Sequence, residues 1–186
     1  IPYWIKEIQK YVPKDVVTIV VGNKIDLHSE RKVWKSEAQE RAKEFNLPYF
    51  EVSAKSGENV NKSFMFLVRG IIRKMIQHHA SNGDINKFRE CFEDESIDVN
   101  QKSIKFKETP LFIACKNGRL EIVEYMLANK RELDILSKNH QGISPLEIAK
   151  INSKLQEKLD HEEEGVEVKQ RQTNCLSIYN LLQEYQ

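Results

Sequence analysis

Three polar side chains, Asn23, Lys24 and Asp26, close an apolar run in the string VVGNKIDL, Val20 to Leu27. A second polar group, Ser53, Ala54 and Lys55, closes another short apolar run that begins at Tyr49. A carboxylate is an acceptor only. Asp26 can therefore take two hydrogen bonds from a group that presents adjacent N–H donors. The Watson–Crick edge of guanine is such a group, with N1–H beside the 2-amino group. Adenine places an acceptor at N1, and an acceptor-only side chain rejects it. The Lys24 and Lys55 stems can lie flat on the base faces, and the Ala54 backbone N–H can serve the 6-oxo group. A lone Asn or Asp after a strand is more often a turn or a helix cap. Two strand ends carrying such groups favour a site, because open parallel sheets bind ligands beyond the carboxyl ends of their strands.

Strands and helices must exist to hold these ends. Asp15 to Gly22 is nearly continuously apolar and β-branched, which predicts a parallel strand covered on both faces. Tyr49 to Ser53 predicts a second strand. Before the first lies a helical face of Trp4, Ile5, Ile8 and Tyr11. Between the strands, Lys35 to Phe45 predicts a helix with Ala38, Ala42 and Phe45 inward. Ser36 and Gln39 have capping-box spacing at its start, and Asn46 to Pro48 ends it. After a turn at Ser56 to Asn59, a long helix carries a stripe of Val60, Phe64, Leu67, Val68, Ile71, Ile72 and Met75. Helix, strand, helix, strand, helix is the order of an α/β unit with a parallel sheet.

The second half repeats itself. Asn82-Gly83-Asp84-Ile85 is echoed by Asn117-Gly118-Arg119-Leu120, and Thr109-Pro110-Leu111 with Ala114 by Ser144-Pro145-Leu146 with Ala149. Both echoes share one period, as in a stacked repeat array. Leu120 and Ile122 match Leu176 and Ile178 at a longer offset, which places an insertion at Lys154 to Asn174. That stretch is polar and highly charged and is expected to be a solvated loop, partly helical at its start. Thr109 is placed to cap a helix, Pro110 to open it and Gly118 to turn the chain. Leu111, Ile122, Val123, Met126 and Leu127 are expected in the stacking core. One period back from Thr109–Ala114 lies Lys74–His79, so the long helix is expected to continue as the inner helix of a first repeat.

Composition narrows the classes. The 186 residues carry a net charge of +1, with 40% hydrophobic and 31% charged residues. There is no bulk attraction to nucleic acid or to a membrane. No apolar run approaches the roughly 18 residues of a spanning helix. Cys91, Cys115 and Cys175 are odd in number and far apart, which fits reduced thiols in a cytoplasmic protein. His78 and His79 are adjacent, hence about 100° apart on a helix, and do not make a metal pair. The chain opens on Ile and shows no secretory leader, and it is expected to be a piece of a longer chain. No cysteine closes it, so membrane contact is expected through a partner.

Residues 1 to about 76 resemble the carboxyl-terminal part of a Ras-superfamily small GTPase, most like the Rab branch. WIKEI, VVGNKIDL, RKVWKSEAQERA, FEVSAKSGENV and FMFLVRGI stand in that family's order and spacing. The resemblance implies GTP or GDP as ligand. It implies that Asn23 holds the N7 side of the base and tethers neighbouring loops, that Lys24 packs over the base and that Asp26 reads guanine. Ser53, Ala54 and Lys55 would complete the pocket. The family's Gly-x-x-x-x-Gly-Lys-Ser/Thr phosphate loop has no match here; Gly57 to Ser63 comes nearest and lacks the second Gly. The switch threonine and the Asp-x-x-Gly that serve magnesium are also missing. No catalytic residue is therefore assigned, and Mg2+ is expected only in a complete GTPase.

Thr109 to Leu127, TPLFIACKNGRLEIVEYML, resembles an ankyrin repeat, with Phe112 where His is usual. Asp98-Val99-Asn100 resembles the end of a preceding repeat and Ser144 to Lys150 the start of a following one. The expected architecture is an α/β, partial GTPase-like parallel sheet over 1–76, then an all-α ankyrin solenoid of about three repeats over 77–186. Two functions compete: a GTP/GDP switch whose ankyrin tail binds protein partners, and a non-catalytic scaffold carrying a GTPase remnant.

Overall fold

The computed structural model describes residues 2–12, 16–95, 97–129, 132–159 and 166–185. The chain divides into two compact units, Ile1–Ile71 and Ile72–Gln186, and the division falls inside one long helix.

The first unit runs α1 (Pro2–Tyr11), β1 (Val20–Gly22), a 3-10 turn (His28–Glu30), α2 (Lys35–Lys43), β2 (Tyr49–Glu51) and the start of α3 (Val60–Asn82). β1 and β2 are parallel, with Val20 opposite Tyr49 and Gly22 opposite Glu51. The pairing persists beyond the strands. Val52 N–H donates to Gly22 O at 2.8 Å and Ile25 N–H to Val52 O at 3.2 Å. These two bonds draw 23–26 alongside 52–55. Ala38 and Ala42 bury the inner face of α2, as their spacing predicts, and Val52 lies in the core beside Ser53. Asn46 ends that helix region in the left-handed conformation at φ +55°, and Leu47 N–H bonds Ala42 O at 3.0 Å.

Four local expectations for this unit fail. The first strand is three residues long, not Asp15 to Gly22; Asp15 lies outside the described residues. Among the described residues β1 has one neighbour, β2. Pairing stops where α2's exit turn leads the partner away, so Val16–Ile19 have no strand to bond. Nor is the strand covered on both faces, since Val21 is 44% exposed. The second strand stops at Glu51 rather than Ser53, because Ser53 N–H turns to Glu58 O at 3.0 Å. The Ser36–Gln39 capping box does not form: Trp34 is the N-cap and makes no side-chain capping bond. The apolar faces of α1 and of α3 in this unit are largely exposed, at Trp4, Tyr11, Phe64, Val68 and Ile71. A two-stranded sheet is too narrow to cover them.

The second unit holds the end of α3, α4 (Ile85–Phe92), α5 (Pro110–Lys116), α6 (Leu120–Ala128), α7 (Pro145–Leu159) and α8 (Val166–Tyr185). One cluster takes a fully buried residue from each helix: Ile76, Phe88, Leu111, Ile122, Ala149 and Ile178. Ile76 lies in α3, which thus serves as the inner helix of the first repeat, as the period predicts. Leu111, Ile122, Val123 and Met126 are buried and Leu127 is partly buried.

The expected cap forms at Thr109, and a further one at Ser144. Thr109 Oγ1 accepts Phe112 N–H at 3.1 Å with Pro110 at the first helical position. Ser144 and Glu147 form a reciprocal capping box, Ser144 N–H to Glu147 Oε2 at 2.7 Å and Glu147 N–H to Ser144 Oγ at 3.2 Å. Gly118 turns the chain at φ +63°. Side-chain amides tie each repeat to the next: Asn100 Nδ2 to Glu132 O at 2.7 Å, Asn152 Nδ2 to Lys116 O at 3.2 Å.

The insertion is not a loop in its described parts. α7 continues to Leu159 and α8 begins at Val166, so the added residues mostly lengthen two helices; 160–165 lie outside the described residues. Their Lys, Gln and Glu content explains this, since these are good helix formers. Asn174 Nδ2 still reaches Gly118 O at 3.1 Å.

Candidate functional site

The loop after β1 and the loop after β2 are laced together by side chains. Asp26 Oδ1 accepts the Ser53 hydroxyl at 2.6 Å, and Ser53 Oγ in turn accepts Ser56 N–H at 3.1 Å. Asn23 Oδ1 accepts two backbone donors, Lys24 N–H at 2.7 Å and Ala54 N–H at 3.1 Å. Ser53 is fully buried, while Asp26 keeps partial access to water. Gly57, at φ +82°, lets its own N–H return to Ser53 O at 2.9 Å and closes the second loop.

The Ser53 hydroxyl is the main reason that the Asp26 carboxyl sits below its ordinary range, with Lys55 and His28 adding charge of the favourable sign. Asp26 is therefore an anion at neutral pH. Lys24 holds the left-handed conformation at φ +68°, uncommon for a residue with a side chain. Asn23, Lys24, Asp26, Ala54 and Lys55, with Leu27, line one hollow of about 320 Å³. That is near the lower end of the ~300–1,000 Å³ of small-molecule sites. Ser53 sits behind it and orients Asp26. All six residues singled out in the sequence meet here.

One detail differs from expectation. The Ala54 N–H is not free for a ligand's oxo group, because it donates to Asn23 Oδ1. The Asn23 side chain thus tethers the two loops, and its Nδ2 donors are used in neither bond.

Residues 1–73 match the model of the Ras family, and residues 76–160 match the model of ankyrin repeats in three copies. The chain joins a Rab-like Ras-family segment to ankyrin repeats. Its relatives include Ras-related protein Rab-26 of Rattus norvegicus, 44% identical over 66 residues, which are 36% of this chain and 26% of that protein. Ras-related protein Rab-30 of Homo sapiens is 38% identical over 82 residues, 44% of this chain and 40% of that protein. GTP-binding protein ypt5 of Schizosaccharomyces pombe is 46% identical over 67 residues, 36% of this chain and 32% of that protein. The chain therefore spans between about a quarter and two fifths of these relatives.

The Ras-family segment also contains a polar cluster that sequence reasoning missed. Arg31 Nη1 pairs with Glu51 Oε1 at 2.7 Å, and the Tyr49 hydroxyl donates to the same oxygen at 3.3 Å. Arg31 Nη1 also donates to Val33 O at 3.1 Å. The Arg31 bond holds Glu51 below the usual carboxylate range. Burial first, then the neighbouring Glu51, pushes the Tyr49 phenol up. The cluster pins the chain after Leu27 to β2 and so fixes the exit from the Asp26 loop. Spacing gives no sign of it, because Arg31 and Glu51 meet only once the parallel register is known. Asn59 was equally hidden; its Nδ2 donates to Glu51 O at 3.0 Å.

Among the described residues no group of three or more His, Cys, Asp or Glu is placed to hold a metal ion, and no helix is long and apolar enough to cross a membrane.

Proposed function

We propose that the hollow over Asp26 is a guanine pocket and that the chain is part of a GTP/GDP-binding switch carrying an ankyrin interaction module. The observation that carries this is the 2.6 Å bond from Ser53 to one oxygen of an ionised Asp26 at the hollow's edge. It fixes the carboxylate's direction and leaves acceptor capacity for the two donors of guanine. Asn23 tethers the loops and offers its amide to N7. Lys24 and Lys55 cover the base with their stems. Ala54 acts through its loop position, its N–H being engaged by Asn23. The likeness to Rab proteins supports guanine nucleotide, as GTP or GDP, over other ligands.

The domain limits follow as part of the proposal: 1–76 as the carboxyl-terminal part of a small GTPase and 77–186 as ankyrin repeats. Phosphate binding, Mg2+ and hydrolysis need residues that these 186 do not include, so turnover belongs to a longer chain that supplies them. Protein partners in trafficking or signalling, in the cytoplasm or at a membrane reached through a partner, fit a Rab-like protein with ankyrin repeats. The competing function is a non-catalytic ankyrin-repeat scaffold with a degenerate GTPase remnant.

Saturation-transfer NMR of the 186-residue chain separates the two. GTP should show transfer to its base and ribose protons at millimolar concentration, ATP should show none, and Asp26→Ala should abolish the GTP signal. Equal transfer to ATP, or a GTP signal indifferent to Asp26→Ala, overturns the guanine pocket. Affinity should be millimolar or weaker, because a base site without phosphate contacts must offset an association cost of roughly 4–15 kcal/mol. Micromolar binding by calorimetry would refute that.

A further inference from the structure

Two neighbouring hairpins of the ankyrin unit carry apolar side chains in the open. The first closes from Ser103 to Glu108, with Ser103 N–H on Glu108 O at 2.8 Å and Lys107 at φ +56°. The second closes from Asn139 to Ile143, with Asn139 N–H on Ile143 O at 2.9 Å. They are fastened side by side. Lys102 Nζ donates to Lys138 O at 2.7 Å, and His140 gives both its backbone N–H and its Nδ1–H to Phe106 O at 3.0 Å. On the first hairpin Ile104 is 70% exposed and Phe106 43%, and just before the second Leu136 is 53% exposed. Single exposed apolar residues are ordinary. Three on or next to two fastened hairpins are a grouping of the kind that marks contact sites.

Positive charge predominates at the first hairpin and at Lys138. Residues 102–107 contribute Lys102, Lys105 and Lys107, residues 136–142 contribute Lys138, and neither stretch has an acidic residue. The flanking acids Glu108, Asp134 and Glu147 each have a partner. Glu108 is buried and pairs with Lys116 at 3.0 Å. Asp134 Oδ1 accepts Leu136 N–H at 3.1 Å, and Glu147, which feels the Lys138 charge, holds Ser144 N–H. In a chain of net charge +1, this is a local concentration of positive charge.

We propose that these hairpin tips are the docking strip for an acidic protein segment that carries apolar side chains. Its carboxylates meet Lys105, Lys107 and Lys138, and its apolar groups cover Ile104, Phe106 and Leu136. The proposal rests on the second unit's being an interaction module and is independent of the guanine pocket. A lipid surface is the weaker match. The Phe106 ring lies under the Lys105 ammonium at 4.9 Å and against the His140 ring at 5.6 Å. It can enter an acyl layer only by stripping that ammonium away, whereas a carboxylate reaches the ammonium where it stands.

Random peptides displayed on phage, selected on the 186-residue chain, test this. Selected peptides should be net negative and contain aliphatic or aromatic residues. A synthesised member should bind the Lys105→Glu/Lys138→Glu variant at least tenfold more weakly, bind Ile104→Ser more weakly, and weaken as salt rises. Unchanged thermal unfolding of both variants shows that the fold is intact. Failure to enrich any peptide, peptides without net negative charge, or affinity that survives the charge reversal would each overturn the proposal. Capture of the chain by phosphatidylserine vesicles and not by phosphatidylcholine vesicles, lost in the same double variant, would overturn it in favour of a lipid surface. A peptide that binds the unit but ignores the strip leaves the interaction module standing and removes this site alone.

Discussion

Gly22 ends β1 immediately before Asn23, and its missing side chain makes room for Tyr49. A Cβ built there would overlap the Tyr49 hydroxyl and lie 3.1 Å from Cζ. Gly22→Ala must therefore push the phenol aside, and the 3.3 Å bond from that hydroxyl to Glu51 goes with it. Overpacking of this kind costs about 1–3 kcal/mol, the lost hydrogen bond about 1 kcal/mol, and the stiffer unfolded chain returns about 0.4–1 kcal/mol. The net expectation is roughly 2–3 kcal/mol of destabilisation. Tyr49→Phe alone should cost about 1 kcal/mol. The double variant has no hydroxyl to displace and should also stand near 1 kcal/mol, which makes the coupling roughly 2–3 kcal/mol. Urea unfolding followed by tryptophan fluorescence measures all four proteins, because the chain's 2 tryptophans, Trp4 and Trp34, both lie in the first unit. Single-variant effects that add within about 0.5 kcal/mol would refute the close approach of Gly22 to the Tyr49 hydroxyl.

Further outcomes are expected. Thr109→Ala should destabilise the second unit by about 1–2 kcal/mol, and Thr109→Ser by clearly less, in urea melts followed by circular dichroism. Glu51 has a lowered pKa in the folded state, so its contribution is present above the ordinary carboxylate range and lost as pH falls through the depressed folded value. The first unit's thermal midpoint should accordingly drop between about pH 5 and pH 3, and Glu51→Gln should flatten that part of the profile. Cys115 is fully buried and its thiol is pushed far up by desolvation, so a disulfide reagent at pH 8 should label it only as fast as the protein unfolds. Labelling in seconds under native conditions would contradict this.

Legibility differed by the range of the interaction. Asn23, Lys24, Asp26, Ala54 and Lys55, with Ser53 behind them, could be named in advance because each stands at the end of an apolar run, and parallel pairing brings such ends together. The cap at Thr109 was equally readable, since a cap depends on three or four consecutive residues, although the same kind of pattern misled at Ser36 and Gln39. The extent of β1 was not, because Val16–Ile19 are as apolar as Val20–Gly22 and only the presence of a neighbour decides which residues pair. What covers the apolar faces of α1 and of α3 in the first unit was illegible for the same reason: periodicity shows that Trp4 and Phe64 share a face with other apolar groups, not what lies over it. The bond between Ala54 N–H and Asn23 depends on the relative height of two loops, which no local pattern encodes.

The hollow's precision does not come from a deep core. Ala38, Ala42 and Val52 are the buried apolar residues of the first unit among those described, and the large side chains of α1 and of the first-unit part of α3 stand largely in water. What holds the two loops is a set of polar staples: Ser53 to Asp26, Ser56 N–H to Ser53, Asn23 to Ala54 N–H, and Asn59 to Glu51 O. Staples of this kind fix local geometry where little area is buried, so local order should exceed what the thin core suggests. Amide exchange tests that inference residue by residue. The amides of Ala54, Ser56 and Gly57 should exchange more slowly than those of α1, although both lie near the surface. Ser53→Ala should remove the protection at Ser56 first, because Ser53 Oγ is its acceptor. Uniform exchange across α1 and the Ser53–Gly57 loop would mean that the staples do not order the site.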